Sequence, residues 1–194
     1  MVSAKDIKEL REKTGAGIAD VKKALEESSG DAAKAELWLE RKLGSTAIKK
    51  ASRETKAGIV ETYLHSNGRI GSMVELFCET DFVARNPDFK ALAHDLAMHV
   101  AAMSPLYVSL DSVPVHAWDA EKIRFEEEVA KMDKPENIKN NIVSGKLKTY
   151  FGGLSLLSQP FVKDEERAVG DIVNEAIGRF GENIKVGMFA RFEI

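Results

Sequence analysis

The sequence predicts an α+β fold, in which an N-terminal three-helix module precedes an antiparallel sheet packed with helices. The first observation is a pair of β-rich segments, 58–64 and 70–78, joined by a loop in which Asn67-Gly68 is expected to supply the positive backbone angles of a tight hairpin. The second is an alternation of apolar and polar residues over 184–194, which predicts a closing strand. The third is the recurrence of apolar residues every three or four positions elsewhere, which indicates helices with one buried face.

The N-terminal module is predicted to contain three short helices. Ser3 is expected to cap the first helix, because a serine side chain can accept a hydrogen bond from an N–H group of the first turn. The segment 14–17 contains two glycines, whose backbone freedom favours a break after that helix. The second helix follows with apolar residues at helical spacing, and Asp31 is expected to cap the third.

A basic segment, 41–53, follows and is predicted to be a linker that is partly helical. Its cations could contact nucleic acid, but no aromatic side chains lie between them on which bases could stack, so a solvated helix face is favoured. We therefore expect the helical module and its linker to span 1–52 and the α+β core to span 53–194.

The core is predicted to pack four helices with the sheet. One opens at Pro87 and carries an apolar stripe as far as Met103, two follow over 119–132 and after Pro135, and the last covers 169–180. The two middle helices are charged and weakly apolar, which predicts an exposed pair.

The strongest candidate for a binding site is the segment 79–86, called the corner below, between the second strand and the helix at Pro87. It places Phe82 between a carboxylate and a cation, where a chain that changes direction can expose a side chain. Burial of this phenylalanine in a partner could supply about 1.5 to 3 kcal/mol, and aromatic residues often dominate interfaces. The alternative is that Phe82 and Val83 fold back on the protein's own sheet.

Composition restricts the class of protein. The chain has 194 residues, is 44% hydrophobic and 30% charged, and carries a formal net charge of −3. The near-balanced charge argues against a nucleic-acid partner, since binding to a phosphate backbone normally needs a concentrated basic surface. The single cysteine, Cys78, cannot form an internal disulfide and is expected to be a small buried hydrophobe. Without a secretory or membrane-spanning apolar run, the chain is expected to be cytoplasmic, although an organellar protein whose targeting segment has been removed stays possible.

A catalytic reading of the residues fails on geometry. His94 and His99 lie five positions apart on one predicted helix, which places them on different faces, unlike a metal-binding pair at i and i+4. Neither histidine forms a recognisable nucleophile and base pair with Cys78, because no glycine-rich elbow or third group accompanies them. The sequence also lacks a phosphate-binding Gly-x-x-x-x-Gly-Lys-Ser/Thr loop. We therefore expect no enzyme activity, no metal and no cofactor.

Three separated parts of the chain resemble the translation elongation factor Ts family. The first part is 8–39, which contains Thr14-Gly15-Ala16-Gly17-Ile18-Ala19-Asp20 and Ala35-Glu36-Leu37-Trp38-Leu39. The second is the tetrapeptide of the corner, Thr80-Asp81-Phe82-Val83. The third comprises Gln159-Pro160-Phe161-Val162, Gly181-Glu182-Asn183-Ile184 and Arg191-Phe192-Glu193. Because the matches occur in the family's order, the resemblance covers the whole chain.

The resemblance implies a function in protein biosynthesis: guanine-nucleotide exchange on elongation factor Tu in its GDP-bound and nucleotide-free states. It implies that the first helices form a ubiquitin-associated-like module and that Thr80, Asp81, Phe82 and Val83 disturb the partner's magnesium site. The contact positions that it implies in the N-terminal module are Leu10, Arg11, Thr14, Ala16, Gly17, Ile18 and Lys22. Taken alone, Leu10 and Ile18 are more often core residues, and Arg11 and Lys22 are more often solvated.

The chain resembles the short form of the family, because it passes almost directly from Met103 towards the terminal motifs. In such chains a homodimer can replace a missing half, and the expected interface lies near Phe189 and Phe192. The competing interpretation is an adaptor that binds a helical or ubiquitin-like partner without promoting exchange.

Overall fold

A computed structural model describes residues 2–14 and 16–194 and has the predicted α+β fold. The helices are α1 Ala4–Thr14, α2 Ile18–Glu27, α3 Ala32–Lys50, α4 Asp81–Ala84, α5 Pro87–Met103, α6 Val115–Ala130, α7 Glu136–Leu154 and α8 Val169–Phe180. The strands are β1 Ala57–Leu64, β2 Ile70–Cys78, β3 Pro160–Phe161, β4 Asp164–Ala168 and β5 Lys185–Glu193.

The three N-terminal helices begin where the sequence predicts them. Ser3 Oγ accepts a hydrogen bond from the Asp6 N–H at 3.1 Å, while the Asp6 carboxylate accepts one from the Ser3 N–H at 3.1 Å, which caps α1 reciprocally. Asp31 Oδ1 accepts a hydrogen bond from the Lys34 N–H at 3.1 Å and caps α3. The predicted break includes Gly15, which lies outside the described residues.

The module has its own small core, and its last helix is longer than predicted. The buried residues of this core are Leu10, Ala16, Val21, Ala24, Leu25, Ala35 and Leu39. Helix α3 continues to Lys50, so most of the expected linker is helical. The middle of this helix is held by an ion pair between Lys42 and Asp20, and its last residue, Lys50, donates a hydrogen bond to the Gly181 carbonyl oxygen.

The larger sheet is antiparallel and has the strand order β1-β2-β5, with helices packed on it. Its hairpin differs in detail from the prediction. The His65 carbonyl oxygen accepts a hydrogen bond from the Gly68 N–H, and Gly68 adopts φ 67°. Asn67 does not have a positive φ, because the only described non-glycine residues with positive φ are Ser29 and Ser104. Asn67 instead accepts a hydrogen bond from the Arg69 N–H at 2.9 Å, so it stabilises the loop through its side chain.

Two features of the core were not predicted. Strands β3 and β4 form a separate antiparallel pair, in which Pro160 faces Ala168 and Phe161 faces Asp164. Helix α6 begins at Val115, directly after Pro114, and therefore four residues earlier than predicted.

Helices α6 and α7 form the predicted pair. Although their sequences are largely charged, they bury a shared apolar core between them. The buried residues between them are Phe125, Val129, Val143, Leu147 and Phe151. The rings of Trp118 and Phe151 stack with their centroids 4.9 Å apart.

The chain divides into two compact units. The first comprises Met1–Ile59, Leu76–Leu92 and Asp171–Lys185, and the second comprises Val60–Glu75, Ala93–Gly170 and Val186–Ile194. The first unit therefore contains the helical module and the corner. The functional boundary between residues 52 and 53 stays a prediction. None of the described helices is long and apolar enough to cross a membrane.

Candidate functional site

The corner is a single helical turn between a strand and a long helix. Strand β2 ends at Cys78, and α4 contains only Asp81–Ala84 before α5 begins at Pro87. Within the turn, the Arg85 N–H donates to the Asp81 carbonyl oxygen at 3.1 Å. A helix of this length has too few internal hydrogen bonds to be stable alone, so contacts with the rest of the protein must hold it.

The corner exposes Phe82 and buries Ala84. The Phe82 side chain is 90% exposed, so the hypothesis that it folds back on the protein's own sheet is wrong. Asp81 and Thr80 are also exposed, whereas Val83 is half-buried and Ala84 is 5% exposed. The short turn anchors itself through its C-terminal side and directs its aromatic ring and a carboxylate into solvent.

A carboxylate from the distant segment after α8 holds the start of the corner. Glu182 Oε2 accepts hydrogen bonds from the N–H groups of Glu79 and Thr80, both at 3.0 Å. Its other oxygen, Oε1, accepts from the Thr80 hydroxyl at 2.6 Å. Thr80 occupies the N-cap position of α4 but makes no side-chain capping bond. Its hydroxyl is committed to Glu182.

Asn183 adds a second attachment beside Glu182. Its backbone N–H donates to Glu79 Oε1 at 2.6 Å, and its side-chain Nδ2 donates to the Arg53 carbonyl oxygen at 2.8 Å. The hydrogen bond from Asn183 lowers the pKa of the Glu79 carboxyl, and the positive charge of Arg53 acts in the same direction. Asn183 itself is 1% exposed, so its donor groups are buried.

Cys78, immediately before the corner, is suited to packing and not to nucleophilic chemistry. Burial and the nearby charge of Glu182 raise the pKa of its thiol to about 11. The group is therefore protonated at neutral pH, and a protonated thiol is a poor nucleophile.

The seven positions implied in the N-terminal module divide by exposure. Leu10 and Ala16, which are 5% and 2% exposed, belong to the module's core. Ile18 is 56% exposed at the start of α2, so much of its apolar surface faces solvent. Arg11, Gly17 and Lys22 are exposed, and Thr14 is half-buried with its hydroxyl donating to the Leu10 carbonyl oxygen at 2.7 Å. Their contact roles stay predictions.

The two candidate histidines have separate structural environments. His99 is fully buried, with Nε2 3.0 Å from Gln159 Oε1 and Nδ1 accepting from the Val162 N–H at 3.1 Å. His94 is partly exposed, and its Nδ1 lies 3.8 Å from the carboxylate of Glu61. The part of the chain that the structure describes contains no group of three or more His, Cys, Asp or Glu residues that could hold a metal ion.

One face of the larger sheet exposes several apolar side chains beside the polar residues Thr62 and Glu75. The opposite face meets α5, where the Ser72 hydroxyl donates to the Ala97 carbonyl oxygen at 2.6 Å and Arg191 Nε donates to the Ala101 carbonyl oxygen at 2.9 Å. Strand alternation directs the outward side chains away from that helix. The exposed apolar residues of this outer sheet face are Val60, Leu64, Met73, Met188 and Phe192. Phe189 is half-buried, so the two phenylalanines of the expected interface differ in exposure.

Sequence reasoning found the corner but missed the residues that fix it. Glu182 and Asn183 belong to a terminal segment whose only signal was its resemblance to a family motif. No local pattern could place that segment beside Thr80, because the contact spans more than 100 positions in the chain.

Comparisons with known proteins cover nearly the whole chain. A family model described as "Elongation factor TS" matches residues 5–194. The chain is 48% identical over 193 residues to elongation factor Ts of Oleidesulfovibrio alaskensis, covering 100% of this chain and 98% of that protein. It is 52% identical over 188 residues to the Thermotoga petrophila protein of the same name, covering 97% of this chain and 94% of the relative. The Thermosipho melanesiensis protein, also named elongation factor Ts, is 48% identical over 194 residues, with coverages of 100% and 99%.

Proposed function

Because the chain belongs to the elongation factor Ts family, we propose that it releases GDP from elongation factor Tu by inserting the corner beside the partner's magnesium and phosphate site. Family membership supports a nucleotide-exchange role on elongation factor Tu in general. The proposal adds a residue-level route, with Phe82 as the inserted side chain.

The exposure of Phe82 is the observation that carries the proposal. A ring that is 90% exposed contributes little to the protein's own core, so nearly all its apolar surface remains available to a partner. Burial of a whole phenylalanine side chain stabilises a complex by about 1.5 to 3 kcal/mol. To promote exchange, this free energy must be gained in the nucleotide-free complex and withheld in the GDP complex. Linkage then requires that GDP and the factor weaken each other's binding equally.

The neighbours of Phe82 supply the polar part of the contact. Asp81 lies in the first turn of α4 and is exposed, so its carboxylate can accept hydrogen bonds from a partner. Insertion of Phe82 between partner helices would shift the helix that carries the magnesium ligands. Loss of the metal leaves the GDP phosphates poorly neutralised, and GDP then dissociates. The factor provides binding energy and position, and no covalent step is needed.

The N-terminal module provides a second contact in this proposal. Ile18 supplies an apolar side chain, while Arg11 and Lys22 add positive charge on the same module. Since Leu10 and Ala16 are buried, they act by supporting the start of α2, where Ile18 lies.

The outer sheet face is proposed to pair two copies of the chain. Phe192 is 69% exposed there, and four further apolar side chains on the same face are exposed: Val60, Leu64, Met73 and Met188. Isologous pairing would cover this surface in both copies at once. Light scattering across a concentration series is expected to show a dimer. A monomer at every concentration, combined with full exchange activity, would remove the dimer from the mechanism.

The exchange function is tested by measuring the release of a fluorescent GDP analogue from elongation factor Tu with and without this protein. We expect release to accelerate with protein concentration and to saturate. Tight binding with unchanged release would instead assign an adaptor. Nucleotide turnover by this chain without elongation factor Tu would contradict the absence of catalytic chemistry of its own.

A further inference from the structure

We propose that Glu182 is a positioning residue for nucleotide exchange, which holds the corner so that Phe82 is presented in its binding geometry. This inference rests on the proposed insertion of Phe82. It adds a residue that touches neither the partner nor the nucleotide in the proposed mechanism.

Helix α4 cannot position Phe82 unaided. It has only four residues, and its N-cap side chain makes no capping hydrogen bond. A single helical turn forms too few internal hydrogen bonds to offset the ordering of its backbone, so contacts from outside the turn must hold it. Without such contacts the turn would sample several conformations. The free-energy cost of ordering it in the complex would then reduce the free energy gained by burying Phe82.

Glu182 makes three hydrogen bonds to two consecutive residues at the entrance to the turn. It accepts from both backbone N–H groups of Glu79 and Thr80 and from the Thr80 hydroxyl, over distances of 2.6 to 3.0 Å. Hydrogen bonds to an ionised carboxylate are stronger than those between neutral groups. Three bonds from one side chain fix both the position and the rotation of the peptide that leads to Phe82.

Glu182 is itself well anchored. Its neighbour Asn183 is buried and bonds to the Glu79 carboxylate and to the Arg53 carbonyl oxygen. These groups all lie within the first compact unit, which makes the attachment local in space although remote in sequence. Glu182 therefore holds the corner from a fixed base.

The test compares Glu182→Ala with Glu182→Gln. Alanine removes all three acceptor contacts. Glutamine keeps the length of the side chain, its oxygen can accept from both N–H groups, and its amide can donate to the Thr80 hydroxyl. Glu54→Ala is the matched control, because Glu54 is an exposed carboxylate that pairs with exposed Lys56 in the same unit.

Amide hydrogen exchange of the free protein reports on the corner without any partner. We expect Glu182→Ala to accelerate exchange at Glu79 and Thr80 at least tenfold, and Glu182→Gln and the control to stay within threefold of the parent. Unchanged exchange at these amides in Glu182→Ala would overturn the proposal. If the alanine variant fails to fold, Glu182→Asp, whose shorter side chain cannot maintain all three contacts, takes its place with the same expected direction.

The kinetic readout is the saturating rate of release of the GDP analogue from elongation factor Tu. We expect Glu182→Ala to lower this rate at least tenfold, while its half-saturating concentration changes less than threefold. Glu182→Gln is expected to have a rate close to that of the parent. In a Phe82→Ala background, Glu182→Ala should lower the rate less than twofold further, because it acts through Phe82. Fully additive losses would assign Glu182 a general structural role and overturn the proposal.

Failure of the exchange function itself gives a different result. If the parent does not accelerate release, the proposed function is wrong and the kinetic role of Glu182 is wrong with it. The hydrogen-exchange result still shows whether Glu182 fixes the corner.

Discussion

Replacement of Phe82 by alanine separates the surface offered to a partner from the stability of the protein. Because the side chain is 90% exposed, its truncation removes almost no internal packing. The free energy of unfolding should change by less than about 0.5 kcal/mol, as is usual for surface substitutions. For a domain of this size, that corresponds to a melting-temperature shift below about 2 °C.

The same exposure sets the expected loss of function. If nine-tenths of the side chain becomes buried only in the complex, the loss is about nine-tenths of 1.5 to 3 kcal/mol, which is roughly 10- to 100-fold in rate. The full factor applies only if the burial is complete when GDP leaves. We expect the saturating rate of GDP release to decrease within that range.

The assay is stopped-flow release of a fluorescent GDP analogue from elongation factor Tu at increasing concentrations of the parent and of Phe82→Ala. Leu106→Ala is the control, because Leu106 is 63% exposed and lies outside all the proposed contacts. Rates for Phe82→Ala within threefold of the parent would refute insertion of Phe82. A melting-temperature decrease of many degrees would refute the argument from exposure, even if exchange were lost.

Three further predictions concern the frame, pH and the N-terminal module. Gly58→Ala should destabilise the protein by about 2 kcal/mol or more, because a Cβ there would overlap backbone atoms of Leu76. Gly71→Ala is the control and should be tolerated, because its Cβ would have only ordinary contacts. Similar urea midpoints for the two variants would contradict the predicted difference in stability. Burial lowers the pKa of His99, so its contribution to stability is complete above the unfolded pKa near 6.5 and is lost as the pH falls below that value. Urea titrations from pH 7.5 to 5 should detect this loss of stability, and His99→Gln should reduce the dependence of stability on pH. Ile18→Ala should raise the half-saturating concentration in the exchange assay about three- to tenfold without lowering the melting temperature, and a normal concentration dependence would exclude a contact through Ile18.

The elements with strong periodic signals could be predicted from the sequence. The predicted strand 70–78 agrees with β2, and the predicted helix 169–180 agrees with α8, because each has an apolar pattern bounded by residues that end it. The pair β3-β4 could not be predicted in this way, since a two-residue strand has no measurable alternation. The hairpin was located correctly, but the role of Asn67 depended on a side-chain hydrogen bond that dipeptide preference does not specify.

The candidate site was predictable only in part, for a similar reason. The change from strand to helix located Phe82, yet residue type favoured burial, and only the three-dimensional arrangement shows that the ring is exposed. In the N-terminal module, helical spacing alone made Leu10 and Ile18 equivalent apolar residues. Their opposite exposures depend on how the three helices pack, which a single helix pattern does not contain.

The modest size of the proposed Phe82 contact suits a factor that must also dissociate. Linkage makes the effect reciprocal: the free energy that the factor gains by binding the nucleotide-free partner is the free energy that returning nucleotide must overcome. One phenylalanine gives about 1.5 to 3 kcal/mol, which lies within the range of about 1 to 3 kcal/mol typical of coupling between sites. A second exposed ring in the corner would increase the gain, but it would oppose expulsion of the factor by GTP to the same extent. In the proposed mechanism, a single exposed Phe82 on a firmly held turn would therefore allow both GDP release and the return of the partner to its nucleotide-bound state.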